Sequence, residues 1–118
     1  MPLTPMKPIL AKARANGYAV GAFNTVDYAT TRVAIEAAEA LSAPIIIQFS
    51  VKTVKYWGYR ALANWMQELA ALSAVPVAFH LDHCKDLAVI ERCLAAGWTS
   101  VMIDASSLPF EQNLELSR

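Results

Sequence analysis

The chain has 118 residues, ten Lys and Arg against ten Asp and Glu, and 56% hydrophobic residues, a composition that excludes disorder and describes a core-rich globular polypeptide. A formal net charge of zero with scattered basic residues gives no electrostatic footprint for nucleic acid or an anionic membrane. The apolar runs are far shorter than the roughly 20 residues of a membrane helix, and the opening Met-Pro-Leu-Thr-Pro-Met-Lys-Pro lacks a signal-peptide core, so the expected location is cytoplasmic.

From about Pro5 to Asn16 the sequence predicts a short helix halted by Asn16-Gly17. Tyr18–Phe23 is an apolar strand ending in Asn24-Thr25. Asp27 then caps a helix to about Leu41, whose spacing predicts Val33, Ala37, Ala40 and Leu41 inward and Arg32, Glu36 and Glu39 in water. Ser42-Ala43-Pro44 breaks it, and Ile45–Phe49 is a β-branched strand ending at Ser50. Val51 to Arg60 reads as a polar, aromatic and basic loop with at most a helical turn. Leu62, Trp65, Met66, Leu69 and Leu72 mark the next amphipathic helix.

Val77-Ala-Phe-His-Leu-Asp-His83 suits a strand buried on both faces of a parallel sheet until three ionisable residues close it. Asp86 caps the following helix, with Leu87, Ile90 and Leu94 predicted inward and Gly97 just past its end. Thr99–Ile103 is the fourth strand, ending at Asp104, and Ser107-Leu-Pro109 opens a last helix with Pro in its first turn.

Polar residues therefore close each apolar run, at Asn24, Ser50, Asp82/His83 and Asp104. This βα repeat carries no GxGxxG or GxxxxGK[ST] fingerprint, and shared strand ends favour a (β/α)8 plan. A TIM barrel takes about 250 residues. The expectation is the amino-terminal half of such an α/β barrel, four parallel strands with covering helices, with residues 1–118 forming a partial domain of a longer protein.

His80, Asp82 and His83 have two readings: a structural hydrogen bond with a helix cap, or a functional cluster at a strand's carboxyl end, where α/β proteins hold catalytic groups. Charge near a core is costly unless paired or metal-bound. Neutral imidazole is a zinc ligand, but one His falls short of the roughly three protein ligands of a catalytic zinc. Cys84 and Cys93 are too few for a disulfide framework and are expected reduced. Cys84 reads as a small semi-buried thiol or, beside His83, a metal ligand.

Gly21-Ala-Phe-Asn24, Gln48-Phe-Ser50, His80-Leu-Asp-His83, Ala96-Gly97, Ser100-Val-Met-Ile-Asp104-Ala-Ser106 and Leu108-Pro-Phe-Glu111 together resemble the beginning of a class II, zinc-dependent ketose-bisphosphate aldolase. That group contains fructose- and tagatose-bisphosphate aldolases. The resemblance implies reversible cleavage of a ketose bisphosphate to dihydroxyacetone phosphate and an aldehyde. It gives Asp82 as the catalytic carboxylate that exchanges a proton with the hydroxyl at the aldehyde carbon, and His83 as a zinc ligand. Asp104 matches a position that holds metal in an alternative or second site, or is a plain strand-end carboxylate. Asn24 and Ser50 match substrate-side positions, Ser50 near a phosphate, with strand-end capping as the alternative. His80 is expected to orient its neighbours.

The implied cofactor is Zn2+, the ligand a sugar phosphate, and the assembly a homo-oligomer. Where familiar members carry glycines after Ser50, this chain has Val51-Lys-Thr-Val-Lys55, so Lys52, Lys55 and Arg60 either meet a sugar phosphate or lie on a solvated loop. Two other readings stand beside the aldolase: a non-catalytic aldolase-like subunit and another metal-dependent hydrolase. Asp82 with His83 argues against the first, and the absence of an H-x-H motif against the second.

Overall fold

The computed structural model describes residues 3–118; Met1 and Pro2, the first residues of the stretch read for a signal peptide, lie outside the described residues. The elements in chain order are α1 (Met6–Asn16), β1 (Gly21–Asn24), α2 (Tyr28–Ala40), β2 (Ile45–Ser50), α3 (Val51–Trp57), α4 (Tyr59–Leu72), β3 (Val77–Cys84), α5 (Leu87–Ala95), β4 (Ser100–Ile103) and α6 (Phe110–Leu116). The four strands form one sheet in the order β1-β2-β3-β4, with every pair parallel. Neighbours in sequence are neighbours in space, with helices between them. That order is half of a (β/α)8 barrel; a doubly wound sheet would reverse direction at a switch point. No helix among the described residues is long and apolar enough to cross a membrane.

Strand alternation divides the sheet into two faces. Ile45, Ile47 and Phe49 pair with Val77, Phe79 and Leu81, and these side chains share one core with Ile35 of α2, Leu62 and Met66 of α4, and Val89 and Cys93 of α5. Phe79 stacks on Trp98 at 3.8 Å between centroids and meets Phe49 edge-on at 5.5 Å, contacts worth about 0.5–1.5 kcal/mol each beyond their area. On the inner face Ile46 and Ala78 pack against Ile9 of α1. Farther along that face Asn24, Gln48, His80 and Ser100 stand in one register row. Helix α1 therefore covers the apolar amino end of the inner face and leaves the polar carboxyl end open.

The helix faces differ from those the apolar spacing predicts. Helix α2 buries Thr31, Ile35 and Ala38, while Val33, Ala37, Ala40 and Leu41 are exposed. An alanine-rich helix offers several apolar stripes. Thr31 enters the core because its hydroxyl is satisfied by Asp27 O at 2.7 Å and Thr25 Oγ1 at 2.8 Å. Helix α5 buries Val89 and Cys93 beside Ile90 and leaves Leu87 and Leu94 exposed; α4 turns Leu72 outward and buries Ala63 and Ala70. Cys84 and Cys93 are both buried free thiols, and burial pushes Cys93 up to about 12.

Other boundaries also move. The segment from Val51, expected as a loop, is helix α3, because Ser50 Oγ accepts the Thr53 N–H at 3.3 Å and caps it. Strand β1 begins at Gly21 instead of Tyr18, and Pro109 is the N-cap of α6, not a first-turn residue.

Phe23, Ala37 and Leu41 line an apolar groove of about 290 Å³ along β1, and among the described residues β1 and β4 each have an unpaired edge. Open apolar edges pair with other chains. Residues 1–118 in isolation are expected to self-associate, with light scattering giving a mass above that of one chain; a monodisperse monomer would contradict this. A second expectation concerns α2, where Asp27 Oδ1 accepts the Thr30 N–H at 2.7 Å and Thr30 Oγ1 accepts the Asp27 N–H at 3.3 Å. Replacing Asp27 by Ala should cost about 1 kcal/mol, seen as a lower denaturation midpoint at unchanged slope.

Candidate active site

The polar residues that close the apolar runs stand along one rim of the parallel sheet: Asn24 ends β1, Ser50 ends β2, Asp82 and His83 lie near the end of β3, and Asp104 follows β4. β3 runs on past Asp82 and His83 to Cys84. A regular strand would send the two side chains to opposite faces. Here Leu81 pairs with Val101 and Cys84 with Ile103, so Asp82 and His83 together oppose Met102 alone. This is a β-bulge, and His83 takes φ 44 within it. The bulge brings His83 Nε2 to 3.7 Å from Asp82 Oδ1. Leu81 and Cys84, on either side, are fully buried and hold it in place.

Each member of the pair has its own support. Asn24 Nδ2 donates to Asp82 Oδ2 at 3.0 Å, and Gln48 Nε2 donates to Asn24 Oδ1 at 3.0 Å. Opposite, Asp104 Oδ1 accepts from Ser106 Oγ at 2.6 Å and from the Ser106 N–H at 3.1 Å, while Asp104 Oδ2 lies 3.1 Å from His83 Nδ1. The Ser106 hydrogen bonds, then that of His83, hold the Asp104 carboxyl down at about 2. An ionised carboxylate only accepts. In the tautomer that suits this contact the His83 ring donates from Nδ1 to Asp104 and presents the Nε2 lone pair on the side of Asp82. The His83 side chain is 66% exposed, against 18% for Asp82 and 11% for Asp104.

His80 bonds Ser100 Oγ through Nδ1 at 2.7 Å rather than the Asp82–His83 pair, and burial lowers its pKa, so the ring is neutral at pH 7. Ser50 is in register with Asp82, and its hydroxyl caps α3. Lys52 and Lys55 project from α3 and, with Ser50, Asp27 and Trp57, line an open cleft of about 640 Å³. Arg60 is exposed on α4. The Cys84 thiol turns to Asp86 O at 3.3 Å, in the outer core, which removes it from the metal reading.

Among the described residues no three His, Cys, Asp or Glu side chains gather as a metal-holding group. The donor set offers one imidazole with a free nitrogen and a carboxylate behind it, which suits one metal ligand with its outer support. Gln48 and Ser106 had no role assigned from sequence alone. Parity was the available signal for Gln48, two residues before Ser50 on the same strand face; for Ser106 it was the Asp-x-Ser spacing that lets a hydroxyl bond the carboxylate two residues back.

Four consecutive parallel strands with an Asp–His pair and its supports on the carboxyl rim define half of a TIM-barrel domain, with its polar site at the end where that fold carries chemistry. Residues 4–118 match the profile of the family described as fructose-bisphosphate aldolase class-II, and the chain belongs to that family. It is 47% identical over 106 residues to the fructose-bisphosphate aldolase of Thermus caldophilus, covering 90% of this chain and 34% of that protein. It is 41% identical to that of Streptococcus pneumoniae serotype 4, covering all of this chain and 41% of the relative. Among solved structures it is similar to the YdjI aldolase from Escherichia coli K12, with TM-score 0.89 and 30% identity over 98% of this chain and 44% of that one. Fructose-bisphosphate aldolase (Fba) from Campylobacter jejuni gives TM-score 0.85 and 29% identity over 95% and 40%. The chain thus spans less than half the length of these relatives.

Because the folded state depresses the Asp104 pKa, the stability it contributes is present above the ordinary value of 3.8 and is lost as pH falls toward about 2. Asp104→Asn should flatten that acid loss, measured by urea unfolding at successive pH values between about 4 and 2. An unchanged slope would show that Asp104 is not so held.

Proposed function

We propose that the chain carries part of the active site of a class II ketose-bisphosphate aldolase, which cleaves fructose bisphosphate reversibly to dihydroxyacetone phosphate and glyceraldehyde 3-phosphate. The observation that carries this reading is the bulge that sets Asp82 and His83 on one side of β3, each held by a different strand end. Membership of the aldolase family supports the reaction class. A non-catalytic subunit would have no use for a left-handed His83 with two separately supported side chains.

In cleavage the C3–C4 bond of the ketose breaks, its electron pair passes to the ketone half, and the C4 hydroxyl loses its proton as the aldehyde forms. Asp82 takes that proton and returns it in condensation. Asn24 occupies Oδ2, which leaves Oδ1, the oxygen on the His83 side, for the exchange. His83 would hold zinc through Nε2 with ligands from outside this chain, since a catalytic zinc takes about three protein ligands. Asp104, expected beside the metal, acts in this geometry on His83 Nδ1, fixing the ring and its tautomer. Zinc, when bound, supplies polarisation of the ketone oxygen. Ser50, with Lys52 and Lys55 in the adjoining cleft, serves a phosphate-bearing end of the substrate.

In the complete protein, Asp82→Ala should keep zinc while turnover falls about 10²-fold or more. His83→Ala should lose the metal. Metal analysis beside steady-state cleavage rates separates the two: equal zinc loss would defeat the division of roles, and a wild-type protein that cleaves no ketose bisphosphate would defeat the reaction itself.

A further inference from the structure

Asp82 is held at second remove by Gln48, a residue of the neighbouring strand β2, acting through Asn24 of β1. The end of the Asn24 amide that faces the Asp82 carboxyl is Nδ2, which donates to Oδ2 at 3.0 Å. An amide that turns its nitrogen one way turns its oxygen the other. Asn24 Oδ1 is met by Gln48 Nε2, also at 3.0 Å. Two amides thus point the same way, from β2 through β1 to β3. Register places Gln48 for this: it pairs with Asn24 on one side and His80 on the other. Its chain neighbours Ile47 and Phe49 are fully buried in the outer core, which fixes the strand it projects from.

Asn24 by itself has a second orientation, half a turn away about its terminal torsion, that sets Oδ1 against the Asp82 carboxylate. With Gln48 in place this orientation also faces nitrogen with nitrogen, donor against donor. We propose that Gln48 is a positioning residue: it sets the direction of the Asn24 amide and so aims an N–H at Asp82 Oδ2. The consequence for catalysis, that Oδ1 is left for the substrate proton, rests on the aldolase reading above; the orientation itself does not.

The test uses the complete protein labelled with 15N-asparagine, with the Asn24 side-chain amide identified by its loss in Asn24→Ala. Gln48→Glu puts an acceptor of nearly equal size where the donor was, so the Asn24 nitrogen should turn toward it and away from Asp82. Asp82→Asn is then expected to shift the Asn24 amide resonance in the wild-type background and to leave it unmoved beside Gln48→Glu. Gln48→Met, which keeps the length without a polar end, should weaken the Asp82→Asn effect and carries the same comparison if Gln48→Glu does not fold. Turnover should fall about tenfold in Gln48→Glu, the scale of a lost hydrogen bond to a charged group, and less in Gln48→Met. An equal response to Asp82→Asn in all backgrounds would overturn the relay. A turned amide with turnover kept within about twofold would overturn the positioning role. A wild-type protein without aldol cleavage would sink the aldolase reading, while the amide comparison would still decide the relay.

Discussion

His83 sits at φ 44, in the left-handed region, where a side chain crowds the neighbouring backbone at a cost of order 1–3 kcal/mol. The chemistry of the rim follows from holding it there. In a straight strand His83 would share the face of Leu81 and Phe79 and be driven into an apolar shell, with Asp82 alone at the mouth. The extra residue in β3 turns it out of that shell. The ladder closes again immediately, with the Asp104 N–H donating to Cys84 O at 2.7 Å. Leu81 and Cys84, buried before and after the bulge, make its relaxation costly, because straightening the strand would shift one of them out of the core.

The two faces of the sheet divide the work. The outer face is apolar and takes α2, α4 and α5 into a core centred on Phe49, Phe79 and Trp98. The inner face changes character along its length, from Ile46 and Ala78 under α1 to Gln48 and His80 and then Ser50 and Asp82. Polar groups on such a face are tolerable only when paired. Among the described residues every buried side-chain nitrogen and oxygen has a hydrogen-bond partner. His80 with Ser100, and Gln48 with Asn24, meet this requirement within one register row.

Support for the Asp82–His83 pair comes from both sides of β3. Asn24, on β1, spans the position of β2 to reach Asp82, and Asp104 reaches His83 from beyond β4. The pair is therefore fixed by rigid strands and not by its own loop, which suits groups that must keep a set geometry. Ser106 completes the arrangement by occupying the far oxygen of Asp104, so that the near one stays directed at His83.

The strands, their polar ends, the caps at Asp27 and Asp86 and the HLDH cluster were legible in the sequence by itself, and with them half of a (β/α)8 plan. Each rests on residues within a few positions of one another: period-two alternation, a side chain bonding a backbone N–H two or three residues on, a polar residue ending an apolar run. The buried stripe of alanine-rich α2 was not legible, because Val33, Ala37 and Leu41 satisfy the same periodicity as Thr31, Ile35 and Ala38. Nor was the bulge, since no local signal marks the place where Leu81 and Cys84 must both face the core. Only the tertiary structure decided that Asn24 and Gln48 serve Asp82 while Asp104 serves His83. Those contacts join segments that local sequence rules never compare, and they are set by strand register, which the packing of the whole outer core imposes.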